Sequence, residues 1–393
     1  MSKPRGNLSK SEAVRDRLPP AGQPAAPDAP PPAFHEGPLT RLGQAWSRFW
    51  FRPADPVGLH AVRMLAGTLF LCWLLAYAGH VQELFGLNGW FDAEAYAEAH
   101  RLAAQERAAG ESAVPQAGWS LLFAVGHSPA ALTAVYWLSV VVVALFTLGL
   151  WARLTGVLTW LVVGSFTVNP ALGSDADALL IVLAFYLMVG YLFLGQWRRG
   201  RRLPYRIFGS TEALLLGRRD DGAGPPPSMA ANAALRLLQV HFAIILVTTG
   251  LHKLQFGEWW GGLALWFPLY PPLETTLEQA REHAGNASLF LALLSIATYA
   301  VLAWEIGFPA FAWRRGWWRL VLIGGALIGW LGASLLYRVP GFGPALLIGC
   351  LSYLTDDEWR AVTGLLPRLP GLSALARWLP AVPDEEPVKV GSR

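Results

Sequence analysis

Charge is scarce in this chain: only 15% of its 393 residues are Asp, Glu, Lys or Arg, against about a quarter in a typical soluble domain. Cysteine is scarcer still. The two present, Cys72 and Cys350, both lie inside apolar runs, which speaks against a disulfide framework or a Cys-rich metal site. No Gly-rich phosphate loop, H-E-x-x-H, G-x-S-x-G or cysteine pair at metal spacing occurs, so neither nucleotide hydrolysis nor zinc chemistry is expected, and no metal site is assigned. No short apolar stretch with a small-residue cleavage site follows Met1; the first long run, from Val57, is expected to act as an uncleaved signal anchor.

What the chain does hold is apolar length: 54% of residues are hydrophobic, with 19 Trp and 19 Phe. A membrane-spanning helix needs about 20 mainly apolar residues to cross about 30 Å of hydrocarbon. Candidate runs are 57–79, 128–150, 154–169, 176–195, 234–252, 287–312, 318–337 and 341–355, the third and eighth being short. The arginines then test the count. Arg41, Arg48 and Arg52 precede the first run, Arg153 follows the second, seven arginines lie between Arg198 and Arg219, Arg314, Arg315 and Arg319 follow the sixth, and Arg360, Arg368 and Arg377 follow the eighth. The intervening connections 80–127, 170–175 and 253–286 are poor in base. By the positive-inside rule this alternation predicts an all-α, polytopic bundle of about eight transmembrane helices, N-in and C-in, with Lys253 at the outer face. The net charge of +4 therefore reflects orientation in a bilayer, and nucleic acid is not an expected partner.

Residues 1–40, rich in Pro, Ala and charge, read as a disordered cytoplasmic tail; 41–356 as the transmembrane domain; and 357–393 as a cytoplasmic tail in which 358–379 is a candidate surface helix interrupted by prolines. Within 41–51 an apolar stripe of Leu42, Ala45, Trp46, Phe49 and Trp50 fits an interfacial helix, or equally an aromatic belt ahead of the first span.

Charge inside hydrocarbon costs roughly 2.5–3.5 kcal/mol on insertion scales, so each polar residue in a span needs an account. The fifth run and its exit, residues 236–267, carry Gln239, His241, Thr248, Thr249, Gly250, His252, Lys253, Glu258, Trp259 and Trp260. Two readings fit Lys253. It is a snorkelling anchor beside interfacial tryptophans, or an amine whose proton affinity is lowered by apolar walls so that it can act as a base. The turn T-V-N-P-A-L-G-S-D-A-D brings Asn169, Asp175 and Asp177, either as helix-capping groups or as hydrogen-bond partners for Lys253. Glu305, mid-way along the sixth run, must be protonated or paired and is expected to face the bundle interior, with Pro309 four residues on inviting a kink. His60 and Arg63 near the start of the first run read as headgroup anchors.

Taken together, the aromatic stretch running into the Arg63-containing first helix (49–71), the Asn169 turn, T-G-L-H-K-L-Q-F-G-E-W-W-G-G-L-A-L at 249–265 and A-W-E-I-G-F-P-A-F-A-W at 303–313 resemble the HTTM family, the horizontally transferred transmembrane domain. That family includes the membrane part of vitamin K-dependent γ-glutamyl carboxylase. The resemblance spans residues 40–355 and implies that Lys253 is a base, with His252 beside it and Asn169, Asp175, Asp177, Glu305 and Trp259 in support. It implies a quinol such as reduced vitamin K as cofactor. The family's turn histidine is replaced here by Ser174 or Asp175, and its seventh-span histidine by Gly329 or Trp330. The extramembrane part that captures protein substrates is also not expected here, so quinol or lipid chemistry at the outer face is the expectation, not peptide carboxylation. The alternative is a non-catalytic subunit that binds a lipid, a quinone or a partner protein.

Overall fold

The computed structural model describes residues 37–109, 118–174, 176–194, 227–271, 274–338 and 341–365. The seven arginines between Arg198 and Arg219, Asp175, and most of both tails lie outside these residues. Among the described residues the regular structure is helical, and the nearest thing to a strand is an isolated bridge between Ala54 and Ser228.

Fifteen α-helices follow one another among these residues: α1 Pro38–Phe51, α2 Val57–Leu75, α3 Val81–Phe85, α4 Ala93–Ala108, α5 Leu121–Val125, α6 Pro129–Leu148, α7 Ala152–Thr167, α8 Asp177–Phe193, α9 Met229–Lys253, α10 Gly257–Trp260, α11 Leu277–Asn286, α12 Ser288–Phe311, α13 Trp318–Leu336, α14 Phe342–Leu351 and α15 Asp356–Leu365. A helix corresponds to each of the eight apolar runs. Five of them (α2, α6, α9, α12 and α13) are long and apolar enough to cross a membrane; α7, α8 and α14 are apolar but shorter. Helix α1 starts inside the stretch assigned to the N-terminal tail, and leaves Leu42 and Trp46 exposed while Phe49 and Trp50 are half-buried. Helix α15 covers the start of the stretch 358–379; the remainder lies outside the described residues.

Local chemistry explains several boundaries. Helix α6 begins with Ser128, whose hydroxyl accepts from Ala131 N, followed by Pro129 at a position that needs no N–H donor. Helix α9 begins the same way, with the Ser228 hydroxyl accepting from Ala231 N. Helix α2 packs on α6, α7 on α8, α14 on α13, and α9 lies between α8 and α12. Their shared core is aliphatic and aromatic: Leu59, Phe70, Leu74, Phe146, Phe166, Leu187, Phe242 and Phe308 are buried. Helices α12 and α13 bury the least of the long helices and leave Leu293, Ile296, Leu320, Ile328 and Leu335 exposed, an outward apolar surface suited to lipid.

Arg63 and His60 do not reach out as headgroup anchors. Both are buried, because one helical face of α2 turns them into the bundle. Arg63 donates to the Phe146 carbonyl at 2.7 Å and lies over the Tyr191 ring, and His60 Nδ1 is 2.6 Å from the Tyr191 hydroxyl. A guanidinium can be held this way because carbonyl oxygens and an aromatic face replace part of its hydration.

At the α15 end, Arg360 pairs with Asp55, the Asp55 N–H donates to Asp356, and Arg319 Nε meets Glu358 at 2.9 Å. These contacts lay α15 across the start of α2, where Trp359 covers Gly58.

Candidate functional site

Helix α9 presents Gly250 and Lys253 on one side, since residues three apart share a helical face. A Cβ placed on Gly250 would come within 2.8 Å of Ile306 Cγ1 and 3.1 Å of Glu305 Cβ, so only glycine allows α12 to lie this close. Thr248 and Thr249 return their hydroxyls to carbonyls one turn back, at Ile244 and Ile245, and the helix runs unbroken through them.

The close approach joins two charges. Lys253 Nζ lies 2.5 Å from Glu305 Oε1. Glu305 is buried, as its position in the sixth run predicts, and the lysine side chain retains 23% exposure. The second carboxylate oxygen, Oε2, is buried and, among the described residues, has no hydrogen-bond partner. Pro309 sits inside α12 four residues after Glu305, so it has no N–H to give to the Glu305 carbonyl. Among the described residues, the Glu305 carboxylate is therefore satisfied by Lys253 through Oε1.

After Lys253 the chain leaves the helix in a tight turn. The N–H groups of Leu254, Gln255 and Phe256 donate to the carbonyls of Leu251, His252 and Lys253. The four-residue α10 then brings the Trp259 ring beneath the ammonium, 4.7 Å from its centroid, a cation–π contact. Trp260 Nε1 donates to the Leu254 carbonyl, and Tyr299 on α12 donates to the Trp260 carbonyl at 2.7 Å. Gly262, at φ 70°, takes the left-handed conformation that L residues avoid, and a Cβ there would meet Ser295 and Tyr299. The whole irregular segment therefore rests on the side of α12.

Register along α12 gives the depth. Glu305 is 17 residues past Ser288, about 25 Å along the helix, and six before Phe311, about 9 Å from that end. The pair is well inside the length of α12, not at its tip, and α9 ends before α12 does.

The other expected site residues are placed as follows. His252 is exposed and meets Phe256 edge-on at 5.2 Å, since adjacent helical residues point about 100° apart. Asn169 is buried; its Nδ2 donates to the Leu84 carbonyl at 2.8 Å and its Oδ1 accepts from Ala171 N, so it organises its own turn. Asp177, at the start of α8, accepts from the Ser174 hydroxyl and N–H. The hydrogen bond of the Lys253 amine goes to Glu305 rather than to this turn.

A second polar knot lies further down α9. The Gln239 side chain donates to the Ser352 carbonyl at 2.7 Å and accepts from Trp313 Nε1 and Arg236, and Tyr353 donates to the Gln239 carbonyl. His241 Nδ1 lies 2.9 Å from the Tyr186 hydroxyl. Among the described residues no group of three or more His, Cys, Asp or Glu side chains is arranged to hold a metal ion. Comparison with protein-family models, with curated proteins and with solved structures yields no match.

Proposed function

We propose that the chain is a multi-pass membrane protein of eight spans, with both ends cytoplasmic, and that Lys253 and Glu305 form an acid–base site within the bilayer. Its ligand is a quinol or another amphiphile with a weakly acidic hydroxyl, entering from the lipid. Five helices of spanning length, three shorter apolar ones and the alternation of arginines between connections support the topology. In this arrangement α7, α8 and α14 complete the count as short or tilted spans.

One observation carries the chemical reading: among the described residues, the hydrogen bond of the Lys253 amine goes to a buried carboxylate inside α12. A lysine that merely anchors a helix end sends its ammonium to water or phosphate. This one is turned inward, against Trp259 and Glu305. The family resemblance of residues 249–265 and 303–313 supports a quinol as the ligand class.

A non-catalytic reading is favoured by the Gly250 contact, which makes the ion pair look like a staple between α9 and α12. The exchange Lys253→Glu with Glu305→Lys separates the two. The protein is purified in detergent, and the amphiphiles that copurify are identified by mass spectrometry. For an acid–base site the wild type retains a hydroxylated amphiphile that Lys253→Met and the charge-exchanged protein both lose. Retention by the charge-exchanged protein, with wild-type stability, would establish the staple.

A further inference from the structure

The ion pair poses a chemical difficulty for Lys253 as a base, because an ammonium has no lone pair to offer. We infer that Glu305 is the proton store that resolves it: the carboxylate takes a proton from Lys253 through Oε1, and the freed amine takes one from the ligand. This rests on the acid–base reading above and extends it to a second residue and a ligand class.

Three observations point the same way. The Nζ–Oε1 contact of 2.5 Å is already the path along which the proton would move. Among the described residues Oε2 is buried and has no donor, so the anionic carboxylate is stabilised there chiefly by Lys253, and its protonation strands no other hydrogen bond among them. The lysine is the more exposed member, 23% against 11% for the glutamate side chain, so a ligand meets the amine first and Glu305 acts from behind it.

The balance is simple. The ligand O–H bond breaks and an N–H bond forms on Lys253, while an N–H bond of Lys253 breaks and an O–H bond forms on Glu305. No electron changes hands. The site holds one positive and one negative charge before the step and the same after it, with the negative charge moved from Glu305 to the ligand oxygen. At no point does a lone charge stand in the apolar interior, where it would cost several kcal/mol. This selects the ligand class. A neutral phenol or hydroquinone hydroxyl fits, whereas a carboxylate or phosphate would arrive already charged and face Glu305 across a neutral pair.

Proton counting tests it. A para-nitrophenol carrying an alkyl chain is added to detergent-solubilised protein at a pH where the free phenol is neutral. Its yellow absorption reports the phenolate, and calorimetry in two buffers of different ionisation enthalpy reports protons released. Wild type is expected to bind the probe as phenolate with no net release, because the proton stays on Glu305. Glu305→Gln is expected to bind phenolate and release one proton per ligand, and Glu305→Asp to return to no release. A release of one proton by wild type, or none by Glu305→Gln, overturns the store. Failure of wild type to bind saturably removes the acid–base site itself, and the store with it. If Glu305→Gln does not fold, the infrared difference spectrum of wild type decides: probe binding must raise the carbonyl band of a protonated carboxylic acid, shifted in Glu305→Asp, and its absence overturns the assignment.

Discussion

Gly250 on α9 faces Glu305 on α12 so closely that a single added carbon would sit 3.1 Å from the glutamate Cβ. Because Lys253 lies one turn beyond Gly250, the same close approach that joins the helices also sets the reach of the ion pair. Gly250→Leu should therefore lower stability by about 1–3 kcal/mol through overpacking. A thermal melt in detergent measures it, with Gly250→Ala falling between the two; a Gly250→Leu protein that melts like wild type would show the interface to be slack.

Removing one partner of the ion pair should cost more than removing both. A buried carboxylate left alone is worth about 3–5 kcal/mol of destabilisation, while an apolar pair of similar volume is often neutral. Lys253→Met should melt well below wild type, and Lys253→Met combined with Glu305→Leu should recover most of the loss. Equal melting of the single and double variants would mean that the charge is already solvated.

Gln239 should be among the least replaceable polar residues of α9. Gln239→Leu leaves the Ser352 carbonyl and the Trp313 indole N–H without a partner, at about 1–3 kcal/mol for each buried group. Tyr186→Phe, which gives up a single half-buried contact with His241, should cost less. Melting of the two variants side by side tests the order.

The docking of α15 should pass through a maximum as pH falls. Burial pushes the Asp356 carboxyl above its ordinary value, against the pull of the Asp55 N–H; this contribution is full below the undocked value of about 3.9 and lost as pH rises through the docked one. Burial also works upward on Glu358, but bonds from Arg319 and Thr355 outweigh it and hold that carboxyl below its ordinary value. The Glu358 contribution is present above about 4.3 and lost as pH falls through its lowered docked value. Mild acid should thus strengthen docking and stronger acid release it. Hydrogen exchange of the α15 amides, corrected for intrinsic rates, should show both limbs; Asp356→Asn should remove the first and Glu358→Gln the second.

The helices themselves were legible because apolar runs end where polar or turn residues begin. The run 318–337 became Trp318–Leu336, and 128–150 became Pro129–Leu148, bounded by Ser128 and Gly149. Shorter helices in the connections, such as α4 with its Asp92 cap, carry too little periodic apolar sequence to stand out. Glu305 as an inward residue was legible too, since an isolated carboxylate in a span has to be sheltered. Its partner was not. The sequence offers the Asn169 turn as a partner for Lys253 because topology sorts connections by side of the membrane but does not rank helices by proximity. The signal that would have found the pair is the need of two opposite charges in apolar helices for each other. The burial of His60 and Arg63 is hidden from the sequence for a related reason: a position near a helix end resembles an anchor until the facing Tyr191 and Phe146 are known.

The clasp between Asp55 and Arg360 joins residues 305 positions apart. During translation the first span emerges long before its clasp exists, and the Gly58 surface must wait for Trp359. A nascent chain halted ahead of Thr355 would hold every apolar helix among the described residues yet have an unlatched start, open to protease at the Phe51–Val57 elbow.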